Sequence, residues 1–167
     1  MLITWKIVVK IMNYKEVNSV LFVCMGNICR SPSAEAVFSH KAKAQGLSLK
    51  IDSAGTVGAH AKEKPDHRAQ KVAIERGYSF DGLKARKVNV KDFENFDLIL
   101  AMDNHNVEEL KKVAPVHLQH KISLFLDFAK NNEETEVPDP YYGGANGFRY
   151  VLDLVEDASD GLLAQLK

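Results

Sequence analysis

The most informative stretch of the chain lies near its start: Val20-Leu21-Phe22-Val23-Cys24-Met25-Gly26-Asn27-Ile28-Cys29-Arg30-Ser31-Pro32. Its first four residues are apolar and predict a buried strand, while Pro32 opens a segment with the apolar periodicity of a helix. The residues between them therefore form a strand-to-helix turn. Such a turn presents backbone N–H groups and the positive end of a helix dipole, which together make an anion site.

Two side chains of this turn indicate chemistry. Cys24 supplies a nucleophile, and Arg30 completes a Cys-x5-Arg spacing with a planar fork able to hold two phosphate oxygens. A lone cysteine at a strand end is usually a small core residue, but a loop that only turns the chain needs no thiol and arginine in this order. The predicted phosphate-binding residues are Met25, Gly26, Asn27, Ile28, Cys29 and Arg30.

Composition restricts the class of protein. The chain has 167 residues, enough for one domain, and 22 basic residues balance 22 acidic ones, so nothing favours binding to nucleic acid or to an anionic membrane. Both cysteines lie in the loop, which indicates a reducing compartment, with the cytoplasm as the default. Residues 1–18 are predicted to be an N-terminal extension without membrane insertion, because Lys6 and Lys10 interrupt a short apolar run. Residues 19–167 are predicted to form the single domain.

Apolar patterns alternate along the chain between those of strands and those of helices. Strands are predicted at 20–24, 49–53, 97–102 and 121–123; helices at 33–45, 66–76, 104–113 and 147–166, with a short helix ending at 129. Alternation of this kind is typical of an α/β protein with a mostly parallel sheet and helices on both faces. Ligands of such sheets bind at the carboxyl ends of the strands, which is where the Cys24 loop is expected.

A second segment supplies an acid. If Cys24 attacks a phosphate ester, the leaving oxygen needs a proton from another part of the chain. Asp139 is the best candidate, because it lies between Pro138 and Pro140, which restrict the backbone, and is followed by Tyr141 and Tyr142, which can line a pocket. The same carboxylate can then activate water against a phosphocysteine. Without the Cys24 loop, a turn residue before proline would be the simpler interpretation.

Together these two motifs resemble the low-molecular-weight protein tyrosine phosphatases, from about Ser19 to the end of the chain. The resemblance implies a phosphotyrosine phosphatase I-like fold, a three-layer arrangement around a four-stranded parallel twisted sheet. It implies Cys24 as nucleophile, Arg30 as phosphate clamp and Asp139 as general acid and then base. It implies a metal-independent hydrolase without cofactors, acting on phosphotyrosine-containing proteins, with a bacterial tyrosine kinase as one candidate partner. Its implied loop-support residues are Asn27, Ser31 and Ser53, and its implied substrate-wall residues are Ala59, His60, Tyr141 and Tyr142.

The chain departs from the family pattern at several positions. Ala59 stands where many members carry an aromatic residue on one wall of the cleft, and Leu83 stands where many carry a histidine tied to the loop. These differences imply a wider or less apolar cleft and a changed support network. Ile28 occupies the position where members that act on phosphoarginine tend to have threonine, so it favours phosphotyrosine.

Alternative functions remain at this point. Arsenate reductases have a similar fold and loop. They need further cysteines to pass oxidising equivalents to a partner, and in this chain only Cys29 accompanies Cys24. A thiol redox sensor needs only these two cysteines, while a zinc site would lack ligands. A phosphate-binding protein without turnover would need neither a thiol nor an acid.

Overall fold

The computed structural model describes residues 12–167. Four strands, β1 (Ser19–Cys24), β2 (Lys50–Gly55), β3 (Leu98–Ala101) and β4 (Ile122–Leu124), pair in parallel in the order β2-β1-β3-β4. All six residues of β1 are buried, as its apolar sequence predicts for a central strand. The predicted four-stranded parallel sheet is confirmed.

Five α-helices connect and cover the strands: α1 (Arg30–Ala44), α2 (His67–Glu75), the single-turn α3 (Asp92–Asn95), α4 (Asn104–Val113) and α5 (Ala145–Leu166). Short 3₁₀ turns occupy Tyr14–Glu16, Val116–Lys121 and Phe125–Phe128. Helices α1, α2 and α5 pack together on one face of the sheet, and α4 covers β3 and β4 on the other. The three-layer arrangement is therefore confirmed.

Side chains of β1 alternate between two cores. Val20 and Phe22 belong to the core beneath α1 and α5, whereas Leu21 and Val23 belong to the core on the opposite face. This alternation follows from the two-residue period of a strand and fixes the register of the sheet, because a slip of one residue would exchange the faces.

The order of the strands in the sheet determines where the Cys24 loop lies. From the central strand β1, the chain first crosses to β2 on one side and later to β3 on the other. The carboxyl end of β1 therefore lies at a topological switch point, where a crevice opens between diverging connections. The Cys24 loop lies in this crevice, beside the residues that follow β2 and β3.

Most predicted bounds agree with the observed ones to within three residues, and α4 matches its predicted range 104–113. Helix α1 begins at Arg30, not at residue 33, because proline is tolerated in the first helical turn and Pro32 does not delay the start. The sequence pattern did not reveal α3 or the turn Val116–Lys121, since such short elements lack a measurable period.

Residues 12–18 of the predicted extension pack on the fold. Val17 is 5% exposed, and the Tyr14 ring meets Phe128 edge to face at 5.4 Å between centroids. The rest of that extension, residues 1–11, lies outside the described residues, and the predicted boundary between residues 18 and 19 stays a prediction. Within residues 12–167, no helix is long and apolar enough to cross a membrane.

Candidate active site

Cys24 ends β1 with its thiol held among donors. The side chain is 3% exposed; Ser31 Oγ lies 3.0 Å from Cys24 Sγ, and the Asn27 backbone N–H donates to the sulfur at 3.3 Å. A hydroxyl and an amide aimed at one sulfur stabilise its anionic form. The loop therefore places Cys24 Sγ where a nucleophile was predicted.

Asn27 holds the loop in shape. Its φ of 57° is left-handed, a conformation that asparagine tolerates better than most residues. The Asn27 amide donates to Ser31 Oγ at 2.8 Å and to Ser53 Oγ at 2.9 Å, and its oxygen accepts from the Arg86 backbone N–H at 3.0 Å. The structure thus brings together the three residues predicted to support the loop.

Arg30 is the first residue of α1, and two groups outside the helix hold its guanidinium. Its Nη1 contacts Asp103 Oδ2 at 2.6 Å and the Val137 carbonyl oxygen at 3.0 Å. Burial alone would lower the pKa of the Arg30 guanidinium, but the charges of Cys24 and Asp103 outweigh it, so its pKa is raised. The fork stays charged and rigidly oriented, as bidentate phosphate binding requires.

Asp139 faces Arg30 across the mouth of the loop. Asp139 Oδ2 lies 3.9 Å from Arg30 Nη2, and its side chain is 41% exposed. The other carboxylate oxygen accepts from the Tyr141 backbone N–H at 3.0 Å, a turn that fixes the aspartate. The Val137 N–H donates to the Met102 carbonyl at 2.8 Å, which ties this segment to the end of β3.

The three predicted catalytic residues line one cavity of about 190 Å³. Its remaining lining residues are Met25, Gly26, Ile28, Cys29, His60, Tyr141 and Tyr142. Asn27 lies beneath the loop, where its side chain is 2% exposed. Ala59 is exposed and does not line the cavity. Of the two neighbours predicted for this wall, Ala59 and His60, the structure places His60 there, with its Nδ1 held to Glu63 Oε2 at 2.8 Å.

The second cysteine differs chemically from the first. Burial, together with the charges of Asp66 and Cys24, raises the pKa of the Cys29 thiol to about 12. Cys29 thus remains a neutral thiol at physiological pH, although it lines the same cavity. Neither cysteine is in a disulfide.

Two residues with a clear part in the site escaped the sequence analysis. Asp103 clamps Arg30; its signal is its position just after β3, at the same sheet edge as the Cys24 loop. Gly55, at the end of β2, packs so closely that a Cβ there would lie 2.6 Å from the Met25 carbonyl oxygen. No local pattern distinguishes such a glycine from one in an ordinary turn.

Among residues 12–167, no group of three or more histidine, cysteine or acidic side chains is arranged to hold a metal ion. The positive charge at the cavity comes from Arg30 and from the start of α1. These groups are suited to a dianionic phosphate ester.

A buried cysteine, an arginine six residues later and an aspartate from a distant loop define a class of enzyme, the phosphatases that use a cysteine nucleophile. The family model described as "Low molecular weight phosphotyrosine protein phosphatase" matches residues 19–167. The chain belongs to this family and is a protein-tyrosine phosphatase, a hydrolase acting on phosphotyrosine-containing proteins.

Individual proteins similar to this chain are phosphatases of the same family. The chain is 42% identical over 151 residues to the low molecular weight protein-tyrosine-phosphatase YfkJ of Bacillus subtilis, covering 89% of this chain and 96% of that protein. It is 45% identical over 150 residues to a Schizosaccharomyces pombe low molecular weight phosphotyrosine protein phosphatase, covering 88% and 96%. A crystal structure of an Entamoeba histolytica protein tyrosine phosphatase, with Hepes in its active site, superposes with a TM-score of 0.86 at 46% identity, covering 89% and 96%. The arsenate reductase and redox-sensor alternatives are not favoured.

Proposed function

We propose that Cys24, Arg30 and Asp139 hydrolyse phosphotyrosine through a phosphocysteine intermediate. One observation carries the proposal: the sulfur, the guanidinium and the carboxylate line a single cavity, with Arg30 and Asp139 3.9 Å apart. We assign phosphate binding to residues 25–30, the loop whose Asn27 backbone N–H donates to the sulfur at 3.3 Å.

The first step transfers the phosphoryl group to the enzyme. Cys24 Sγ attacks phosphorus and forms an S–P bond while the P–O bond to the tyrosine ring breaks. Asp139, protonated in this step, gives its proton to the departing phenolate oxygen. Arg30 and the loop N–H groups hold the equatorial oxygens as charge redistributes.

The second step releases phosphate. A water molecule in the place of the departed phenol loses a proton to the Asp139 carboxylate and attacks phosphorus. The S–P bond breaks, inorganic phosphate leaves, and the Cys24 thiolate is restored, stabilised by Ser31 and the Asn27 N–H. Asp139 is protonated again, so the cycle closes without a net gain or loss of protons by the enzyme.

The cavity walls support the choice of an aryl ester. Ile28, Tyr141 and His60 stand around the sulfur, so a phenyl ring fills space that the methylene of phosphoserine leaves empty. Tyr142 is 95% exposed and stands at the outer rim, where the protein substrate approaches. A bacterial tyrosine kinase carrying phosphotyrosine is a candidate partner, and the two free cysteines favour the cytoplasm as the location.

Trapping the intermediate tests the nucleophile. Asp139→Asn mixed with p-nitrophenyl phosphate and quenched in acid should carry one phosphoryl group on the peptide that contains Cys24, as measured by mass spectrometry. Cys24→Ser should carry none and should not turn over, whereas the matched variant Cys29→Ser, which keeps the nucleophile, should still form the adduct. Turnover by Cys24→Ser contradicts the mechanism.

A leaving-group series tests the acid. Asp139→Asn should slow hydrolysis of phenyl phosphate about 10²-fold more than that of p-nitrophenyl phosphate, because only the poorer leaving group needs protonation. An equal loss for both esters would remove Asp139 from the acid role. A chelator should leave the activity of the wild-type enzyme unchanged.

A further inference from the structure

Glu35 is a buried acid that the mechanism above does not use. It lies in the second turn of α1 and is only 6% exposed. A buried carboxyl group needs hydrogen-bond partners to offset its loss of hydration. Its donor in the structure is the Ser53 hydroxyl, 3.3 Å from Glu35 Oε2.

The direction of each hydrogen bond between Cys24 and Glu35 can be assigned. Asn27 Oδ1 accepts from the Arg86 backbone, so both hydrogens of the Asn27 amide are donated, one to Ser31 Oγ and one to Ser53 Oγ. A hydroxyl that accepts this hydrogen must direct its own elsewhere. A Cys24 thiolate can only accept, so Ser31 directs its hydrogen to Cys24 Sγ at 3.0 Å in preference to the Ala54 carbonyl oxygen at 3.5 Å. Ser53 directs its hydrogen to Glu35.

Glu35 is therefore the terminal acceptor of this hydrogen-bonded chain. Without an acceptor, the Ser53 hydroxyl would be free to rotate and to donate toward other groups. Its lone pairs would then no longer be fixed toward the Asn27 amide. Because that amide also holds Ser31, the hydrogen directed at Cys24 Sγ loses part of its restraint.

Charged side chains from neighbouring elements face Glu35. Asp52 is the adjacent carboxyl group; Arg86 Nη2 contacts Asp52 Oδ2 at 3.1 Å and also pairs with Asp92 at 3.0 Å. On its other side, Glu35 borders a groove of about 380 Å³ with apolar Leu83 and the ionisable rim residues His40, Lys43 and Asp81. Burial and the neighbouring Asp52 raise the pKa of Glu35 to about 8, so Glu35 keeps its proton at neutral pH and still has lone pairs with which to accept from Ser53.

We propose that Glu35 is a positioning residue for the nucleophile, acting through Ser53, Asn27 and Ser31 to hold the hydrogen bond that stabilises the Cys24 thiolate. This inference rests on the proposed role of Cys24, but its test does not depend on turnover. The readout is the pH at which alkylation of Cys24 by iodoacetamide reaches half its maximal rate, with the alkylated peptide verified by mass spectrometry.

Two substitutions at the same position separate the acceptor from simple packing. Glu35→Met keeps the length of the side chain but removes the acceptor, and it should raise the alkylation midpoint by about half a pH unit, the effect of weakening one hydrogen bond. Glu35→Gln keeps an acceptor for Ser53 and offers its amide to Asp52, so its midpoint should stay at the wild-type value.

A third variant controls for charge. Asp52→Asn removes the negative charge beside Glu35 and leaves Glu35 in place to accept from Ser53. Its midpoint should match that of the wild-type protein.

Each outcome decides the proposal. A shift in Glu35→Met together with unshifted Glu35→Gln and Asp52→Asn supports it. Equal shifts in Glu35→Met and Glu35→Gln, or no shift in either, overturn it. If Glu35→Met does not fold, Ser53→Ala carries the test, because all of the influence of Glu35 passes through that hydroxyl; an unchanged midpoint in Ser53→Ala then overturns the proposal. Failure of the proposed function would appear separately, as turnover by Cys24→Ser.

Discussion

At the scale of single residues, the site depends on the geometry of Arg30 as much as on its charge. Asp103 and the Val137 carbonyl occupy one nitrogen of the guanidinium, which orients the rest of the fork toward the cavity. An ammonium group in its place would keep the charge but offer no planar pair of donors.

Arg30→Lys should therefore lower kcat for p-nitrophenyl phosphate roughly 10²–10³-fold, the size of effect seen when a transition-state donor is removed. Steady-state kinetics measures it. The matched control is Arg68→Lys, since Arg68 stacks on Tyr141 beside the cavity, 5.4 Å from the ring centroid, but is paired with Asp66. The control should stay within about twofold of the wild-type kcat. A near-normal rate for Arg30→Lys would place Arg30 outside the reaction.

At the scale of elements, the end of β2 shapes the loop that follows β1. A Cβ at Gly55 would lie 2.6 Å from the Met25 carbonyl oxygen and 3.2 Å from the Asn27 backbone nitrogen. Both contacts are with backbone, which cannot rotate away as a flexible side chain can. The close approach of strand and loop thus requires glycine at this position.

Gly55→Ala should destabilise the protein by about 1–3 kcal/mol and lower kcat/KM, because the loop must shift to accommodate the methyl group. Urea unfolding and aryl phosphate kinetics measure the two effects. Gly144→Ala is the matched control, because a Cβ there meets nothing within 4 Å and the φ is −83°. Its kcat/KM should stay unchanged, and its stability should fall by less than about 1 kcal/mol, since alanine is a poorer N-cap of α5 than glycine. Equal behaviour of the two variants would show that the space at Gly55 is not limiting.

At the scale of the whole molecule, stability should depend on the proton held by Glu35. Burial, with Asp52 beside it, raises the pKa of Glu35 from 4.5 to about 8, so between these values the folded protein keeps a proton that the unfolded chain releases. The unfolded state is then favoured as pH rises, with a slope of up to roughly 1.4 kcal/mol per pH unit. Above pH 8 both states have lost the proton and the slope vanishes.

Glu35→Gln replaces the ionisable carboxyl group with an amide that does not titrate. The free energy of unfolding of the wild-type protein should therefore fall relative to that of Glu35→Gln as pH rises from 5 to 8. Urea denaturation at several pH values measures this difference, which removes the contribution of all other groups. Parallel curves for the two proteins would show that Glu35 titrates normally.

Truncation tests the role of the N-terminal segment in the whole molecule. Deleting residues 1–11 should leave activity unchanged, because both motifs and the four strands described within residues 12–167 follow them. Deleting residues 1–18 also removes the buried Val17 and the contact between Tyr14 and Phe128, and should cost about 2 kcal/mol, or roughly 4–8 °C in Tm. Calorimetry and a kinetic assay measure both truncations. An inactive product of the shorter deletion would contradict the predicted N-terminal extension.

Strand and helix periods and the order of residues around Cys24 are local properties of the chain, so the sequence alone was enough to predict the sheet, its longer helices and the loop. It also made Asp139 the candidate acid, since two prolines around one carboxylate form a local pattern. Tertiary structure decided what no local pattern encodes: that Asp103 holds Arg30, that β2 approaches the loop too closely for a side chain at Gly55, and that His60 forms the cavity wall while Ala59 does not. Only folding brings Glu35 on α1 against Ser53 on β2, because 18 residues separate them along the chain. Such contacts depend on distances between elements, and these are fixed by packing.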